Sequence, residues 1–186
     1  MCILCKNQCK KNIKKLDIST CKDIQKIPNT LTKLKTLICN DCQKLNNIKN
    51  PSFVNLTYLN CSFKHNSYFN DSPINKLPPN LINLKKLDCS GCNNIIEIPS
   101  TYVNLTFLDC SMTSIEEIPS TFINLQYLYC CLCYGLFQLP SEFVNIIELH
   151  CNRSRFQKIP DTYINLIELQ CYRSNIIEIP SLTNLE

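Results

Sequence analysis

The sequence predicts an α/β-type repeat solenoid, with a row of short parallel strands on one side and return limbs that are mostly extended or 3-10 rather than helical. Three observations predict it. An apolar triplet of the form Leu-x-x-Leu-x-Cys recurs eight times along the 186 residues. Seven of the ten prolines, Pro28, Pro78, Pro99, Pro119, Pro140, Pro160 and Pro180, directly follow Ile or Leu at matching places. Eleven of the fifteen cysteines fall on two repeat positions.

The copies are Ile13/Leu16/Ile18, Leu34/Leu37/Cys39, Leu56/Leu59/Cys61, Leu84/Leu87/Cys89, Leu105/Leu108/Cys110, Leu125/Leu128/Cys130, Ile146/Leu149/Cys151 and Leu166/Leu169/Cys171. Their third members are 21, 22, 28, 21, 20, 21 and 20 residues apart, a period characteristic of stacked coils. Within each copy, Leu-x-Cys alternates inside and outside with period two, which predicts a short strand that pairs in parallel with the next. The return limb has only about a dozen residues and carries a proline that fixes φ and lacks an N–H, so a full helix is not expected there.

This Leu-x-x-Leu-x-Cys-x-x-(Thr/Ser/Cys)-x-(x)-Ile-x-x-Ile-Pro pattern resembles the leucine-rich repeat family, from about Ile13 to Leu185. The resemblance implies a curved solenoid with a concave parallel sheet, and the short Ile-Pro copies look most like the bacterial-effector type. Two departures stand out. In the loop after the strand, the family's asparagine is replaced by Thr113, Ser154 and Ser174 or by Cys21, Cys42, Cys92 and Cys133. Cysteine loops carry one more residue before the next apolar position, which we read as a thiol offering little hydrogen bonding to a tight loop. The second departure is an asparagine just before the strand, at 12, 55, 83, 104, 124, 145, 165 and 184. Stacked asparagines there are expected to satisfy backbone groups of neighbouring coils, since a buried unpaired group costs about 1–3 kcal/mol.

Residues 1–12 form a cysteine- and lysine-rich segment ahead of the solenoid at 13–186, which has an insertion near 64–73 and a truncated last repeat. The insertion, with Tyr68 and Phe69, reads as a surface loop or as a partner contact. Cys2-x-x-Cys5-x-x-x-Cys9, with Cys21, invites a zinc reading. Structural zinc sites combine two close cysteine pairs, however, so a capping or disordered segment fits better and no metal or cofactor is assigned. The in-register cysteines are expected to be reduced core thiols. Without a signal-peptide pattern or a membrane-length apolar run, the expected location is cytoplasmic, in a host cytoplasm if the source is a virus. The Asn, Ile and Lys richness resembles leucine-rich repeat proteins of large DNA viruses or protists.

Catalysis finds no motif: His65 and His150 are the two histidines, and neither is tied to a Ser or Cys nucleophile. Residues 1–50 carry net charge +8 and the remainder −4. The lysines are spread around the coil with few aromatics to stack bases, which speaks against nucleic acid. The resemblance implies that residues flanking the inward leucines face the concave sheet, where exposed Tyr, Phe and Met with Arg at the edge have the composition of interface anchors. The candidate partner-binding residues are Tyr58, Phe107, Met112, Tyr127, Tyr129, His150, Arg153, Tyr172 and Arg173. Cross-strand stacking that merely supports the sheet is the competing account of these aromatics. The functional expectation is a non-enzymatic module that binds a protein or peptide. The alternative is the substrate-recognition part of a larger enzyme assembly such as a ubiquitin ligase.

Overall fold

A computed structural model describes Leu4 and residues 12–64 and 72–181. The chain winds as a parallel solenoid whose strands are three residues each: β1 Lys15–Asp17, β2 Thr36–Ile38, β3 Tyr58–Asn60, β4 Lys86–Asp88, β5 Phe107–Asp109, β6 Tyr127–Tyr129, β7 Glu148–His150 and β8 Glu168–Gln170. They form one eight-stranded sheet in sequence order, every neighbour parallel. The period-two alternation is directly visible, because the middle leucine of β1 to β7 is buried while its flanks face outward. In β8, Leu169 is only half-buried.

Inside, each coil stacks its own kind on its neighbours. Leu105, Leu125 and Leu166 line one column, Cys89, Cys110, Cys130 and Cys151 another, and Tyr102, Phe122, Phe143 and Tyr163 a third, all of them fully buried. Burying a side chain of this size stabilises the fold by about 1.5–3 kcal/mol, so one such column over several coils is a large part of the core. The return limbs are turns, as the Ile-Pro spacing predicts. Among the described residues the one helix is the 3-10 turn Pro51–Asn55, which begins with proline and whose Ser52 N–H donates to the Asn50 side chain.

The asparagines before the strands form a continuous ladder. Asn83, Asn104, Asn124, Asn145 and Asn165 each donate through Nδ2 to a carbonyl of the preceding coil, those of Val54, Ile82, Val103, Ile123 and Val144, at 2.7–3.0 Å. Asn55 does the same to Thr32 at 3.1 Å. A second row, three residues past the strand, turns the chain with left-handed backbone at Thr20, Asp41, Gly91, Met112, Leu132, Arg153 and Arg173. Left-handed φ costs a residue with a side chain about 1–2 kcal/mol. Here it is offset because it aims the N–H at the next coil: Met112 donates to Cys131 O at 2.8 Å and Arg153 to Tyr172 O at 2.9 Å.

Ten of the twelve described cysteines are buried. Burial pushes the thiols of Cys39, Cys89 and Cys130 well above their ordinary range, so they stay protonated. The loop cysteines correct the reading of their chemistry. Cys42, Cys92 and Cys133 each donate through Sγ to the strand-end carbonyl of the preceding coil, Ile18, Cys61 and Cys110, at 3.0–3.1 Å. Thr113 instead donates to Cys110 O of its own coil at 2.6 Å. The thiol is thus a donor that reaches backward. The extra residue does form a separate turn, closed by Leu45 N to Cys42 O, Ile95 N to Cys92 O and Leu136 N to Cys133 O. Threonine and serine loops instead run straight into inter-coil bonds such as Ser114 N to Ile95 O.

Cys2, Cys5 and Cys9, the insertion with His65, Tyr68 and Phe69, and the final Asn184-Leu185-Glu186 lie outside the described residues. At the insertion's near edge Phe63 is buried rather than presented on the sheet face, and the chain regains the repeat at buried Ser72. Among the described residues no helix is long and apolar enough to cross a membrane.

Candidate binding face

Strict register converts two sequence columns into two straight rows on the outward sheet face. One row runs Lys15, Thr36, Tyr58, Lys86, Phe107, Tyr127, Glu148, Glu168, and the other Asp17, Ile38, Asn60, Asp88, Asp109, Tyr129, His150, Gln170. Five of the nine anticipated residues, Tyr58, Phe107, Tyr127, Tyr129 and His150, lie in these rows and are half-buried. The other four lie beyond the strands: Met112, Arg153 and Arg173 occupy the left-handed turn, with Tyr172 beside it, and all four are exposed. The candidate set therefore separates into a floor and a rim.

On the floor the aromatics touch. Phe107 meets Tyr129 edge-on, centroids 5.3 Å apart at 75°, and lies 6.5 Å from Tyr127. Tyr129 stacks on His150 at 4.3 Å with the rings 6° from parallel. Cross-strand stacking is thus present, each such pair stabilising by about 0.5–1.5 kcal/mol beyond area burial, and it also fixes the rings before any partner arrives. Toward the N-terminal side a hollow of ≈ 590 Å³ opens between Tyr58, Phe107, Lys85 and Lys86. On the rim the Arg173 guanidinium lies 5.0 Å from the Tyr172 ring centre.

Glu148 and Glu168 close the first row as direct cross-strand partners. Glu148 accepts from Tyr129 OH at 2.7 Å, and His150 Nε2 lies 2.9 Å from Glu148 Oε1 and 3.1 Å from Glu168 Oε1. Gln170 Nε2 donates to Glu168 Oε1 at 2.8 Å. Partial burial and the bond to Glu148 push the Tyr129 phenol up to about 12. Hydrogen bonds from Gln170 and His150 hold the Glu168 carboxyl below the ordinary range. The available signal was a like-charge pair in direct cross-strand register, with histidine two residues along.

Val103, Ile123, Val144 and Ile164 each follow the buried aromatic of a return limb. They form an exposed aliphatic row, 43–63% accessible. A larger hollow of ≈ 820 Å³ follows the Ile-Pro turns, where Thr101 and Thr121 are committed to carbonyls of the preceding coil.

Asp109, in the centre of the face, is directly opposite Asp88. Desolvation raises its pKa, with Asp88 adding to the shift, against the Ser111 N–H that donates to it at 3.0 Å. A carboxyl raised on folding is destabilising when ionised, and the penalty vanishes once both states are protonated. Asp109→Asn keeps the acceptor for Ser111 and removes the charge. It is expected to raise the chemical-denaturation midpoint at pH 7, the gain shrinking as pH falls through the raised folded value and disappearing below the ordinary value of 3.8. A gain that is the same at pH 7 and pH 3 would contradict this.

No protein-family model matches the chain, and no curated protein sequence is significantly similar to it. Solved structures are similar. The functional domain of InlJ from Listeria monocytogenes, described as including a cysteine ladder, is 26% identical with a TM-score of 0.73, over 88% of this chain and 36% of that one. The leucine-rich repeat protein LIC12759 of Leptospira interrogans is 19% identical at a TM-score of 0.69, over 95% and 48%. The Arabidopsis receptor kinase HAESA, solved with the peptide hormone IDA and the co-receptor SERK1, is 17% identical at 0.52, over 88% and 34%. This chain thus spans between a third and a half of the length of these relatives. Eight register-locked strands, a 20–22-residue period and these likenesses make the protein a leucine-rich repeat solenoid of short, almost helix-free coils.

Proposed function

We infer that the outward sheet face, concave in this family, binds a protein or peptide partner and performs no chemistry of its own. The observation that carries this reading is the aromatic floor in which Phe107 meets both Tyr127 and Tyr129 and Tyr129 stacks on His150, each ring half-buried. Rings pre-set in this way lose little entropy on binding, which is what makes Tyr effective as an interface anchor. The floor has polar flanks of opposite character, Lys85 and Lys86 beside Tyr58 and the Glu148 and Glu168 carboxylates at the other end. Such a gradient favours one orientation of an extended partner. The fold-level likeness to a receptor solved with a peptide hormone supports the same class of function.

The test is affinity capture with the intact chain, followed by measured affinities of the captured partner with purified components. Replacing both Tyr127 and Tyr129 with alanine is expected to weaken binding by about 100-fold or more, since truncating a hot-spot residue costs about 2–4 kcal/mol. The fold should persist, because both side chains project from the sheet rather than into the core. Unchanged affinity in a folded double variant would remove the floor as the site.

A further inference from the structure

The sheet end formed by β7 and β8, which borders the aromatic floor, gathers three ligand-type side chains at one point. Glu148 and Glu168 are direct cross-strand partners, an arrangement in which like charges repel. His150 lies two residues after Glu148 on the same face, and its single Nε2 is shared by both carboxylates at 2.9 and 3.1 Å. A neutral imidazole can offer Nε2 either one hydrogen or one lone pair, so it cannot satisfy two carboxylates. A cation where the three atoms converge would offset the repulsion between the two carboxylates. Among the described residues no Lys or Arg lies within 4.0 Å of either carboxylate.

We propose that Glu148, His150 and Glu168 form a divalent-cation site of the Zn²⁺ class on the outward face of the last two strands. One ligand atom from each residue lies within 4.8 Å of the others. Bonds of 2.0–2.2 Å in tetrahedral geometry separate ligand atoms by about 3.3 Å, so the two His150–carboxylate separations need open only by a few tenths of an ångström to admit an ion. One imidazole with two carboxylates is a nitrogen–oxygen set that suits Zn²⁺ and its first-row neighbours better than Ca²⁺ or Mg²⁺.

The surrounding contacts are those of a held site. The Tyr129 ring stacks flat on the imidazole and fixes its plane, while its hydroxyl donates to Glu148 Oε1. Gln170 donates to Glu168 Oε1. Outer-shell donors of this kind orient ligands and tune affinity by about 10–100-fold. The Glu168 side chain is 52% exposed, so the ion would be open to solvent and would complete its coordination with water. The site requires no protein partner, and its failure would leave the aromatic floor as argued.

The decisive experiment titrates Co²⁺, then competing Zn²⁺, into the full chain at pH 7 and reads the visible absorption. One equivalent is expected to bind with d–d bands and without thiolate-to-cobalt charge transfer, distinguishing the site from the fifteen cysteines. His150→Gln and Glu168→Gln should each weaken that phase at least tenfold, while the metal-free chain still unfolds in a cooperative transition. The proposal is overturned if no saturable equivalent binds, if the only bound cobalt carries the thiolate signature, or if both variants keep wild-type affinity.

Discussion

Gly91→Ala is expected to lower the unfolding free energy by about 2–4 kcal/mol, as an incompatible backbone position combined with a close contact should. Gly91 has φ +72°, and a Cβ built on it would lie 1.9 Å from the carbonyl oxygen of Phe63. The left-handed backbone is not by itself the reason for glycine, because Thr20, Asp41, Met112, Leu132, Arg153 and Arg173 hold the same conformation with side chains. The difference lies in the coil before it. Phe63 occupies the corresponding turn position with its side chain buried and with no left-handed φ, and its carbonyl is left against Gly91. Neither partner can move freely, since Gly91 N–H donates to Ser111 O and Phe63 N–H to Ser90 O, both at 2.8 Å. Asparagine tolerates left-handed φ but carries a Cβ, so Gly91→Asn should be no better than Gly91→Ala. Gly135→Ala, at ordinary φ and 2.8 Å from the Ile115 carbonyl, should cost less. Denaturant titration of the three variants checks the ranking; near wild-type stability in Gly91→Asn would assign the glycine to φ alone.

The contrast explains what was legible in the sequence. Features that repeat could be read, because aligned copies report the same environment again and again: the inward leucine, the strand-end cysteine and the asparagine ladder. The two outward rows followed from the two-residue alternation and parallel register, so the aromatic floor was also accessible. Features that arise between copies were not. Whether Cys133 donates to its own coil or to Cys110 of the coil before is a matter of loop path, and a sequence column does not encode it. Met112, Arg153 and Arg173 are close to the strand in sequence, but the left-handed turn takes them off the sheet. The Glu148–His150–Glu168 contact also depends on rotamers on two strands, and the register supplied only their proximity.

Phe122→Ala tests whether the candidate face depends on the interior column behind it. Phe122 is fully buried in the stack of Tyr102, Phe122, Phe143 and Tyr163, and truncating a core phenylalanine costs about 3–5 kcal/mol. In a solenoid each coil is held only by its two neighbours, so a loss in a central coil weakens the coupling between the halves rather than stability alone. The expected result is a lowered midpoint together with a smaller denaturant slope, as the coils up to β5 and those from β6 onward begin to unfold separately. Ile123, the next residue along, is 52% exposed, and its change to alanine should alter stability by less than about 0.5 kcal/mol with no effect on slope. The floor contacts that bridge β5 and β6, Phe107 to Tyr127 and to Tyr129, cross the same weakened junction. Partner affinity should therefore fall in Phe122→Ala although Phe122 touches nothing outside the core. A single cooperative transition with unchanged slope would mean that coupling is spread evenly along the coils and does not depend on this stack.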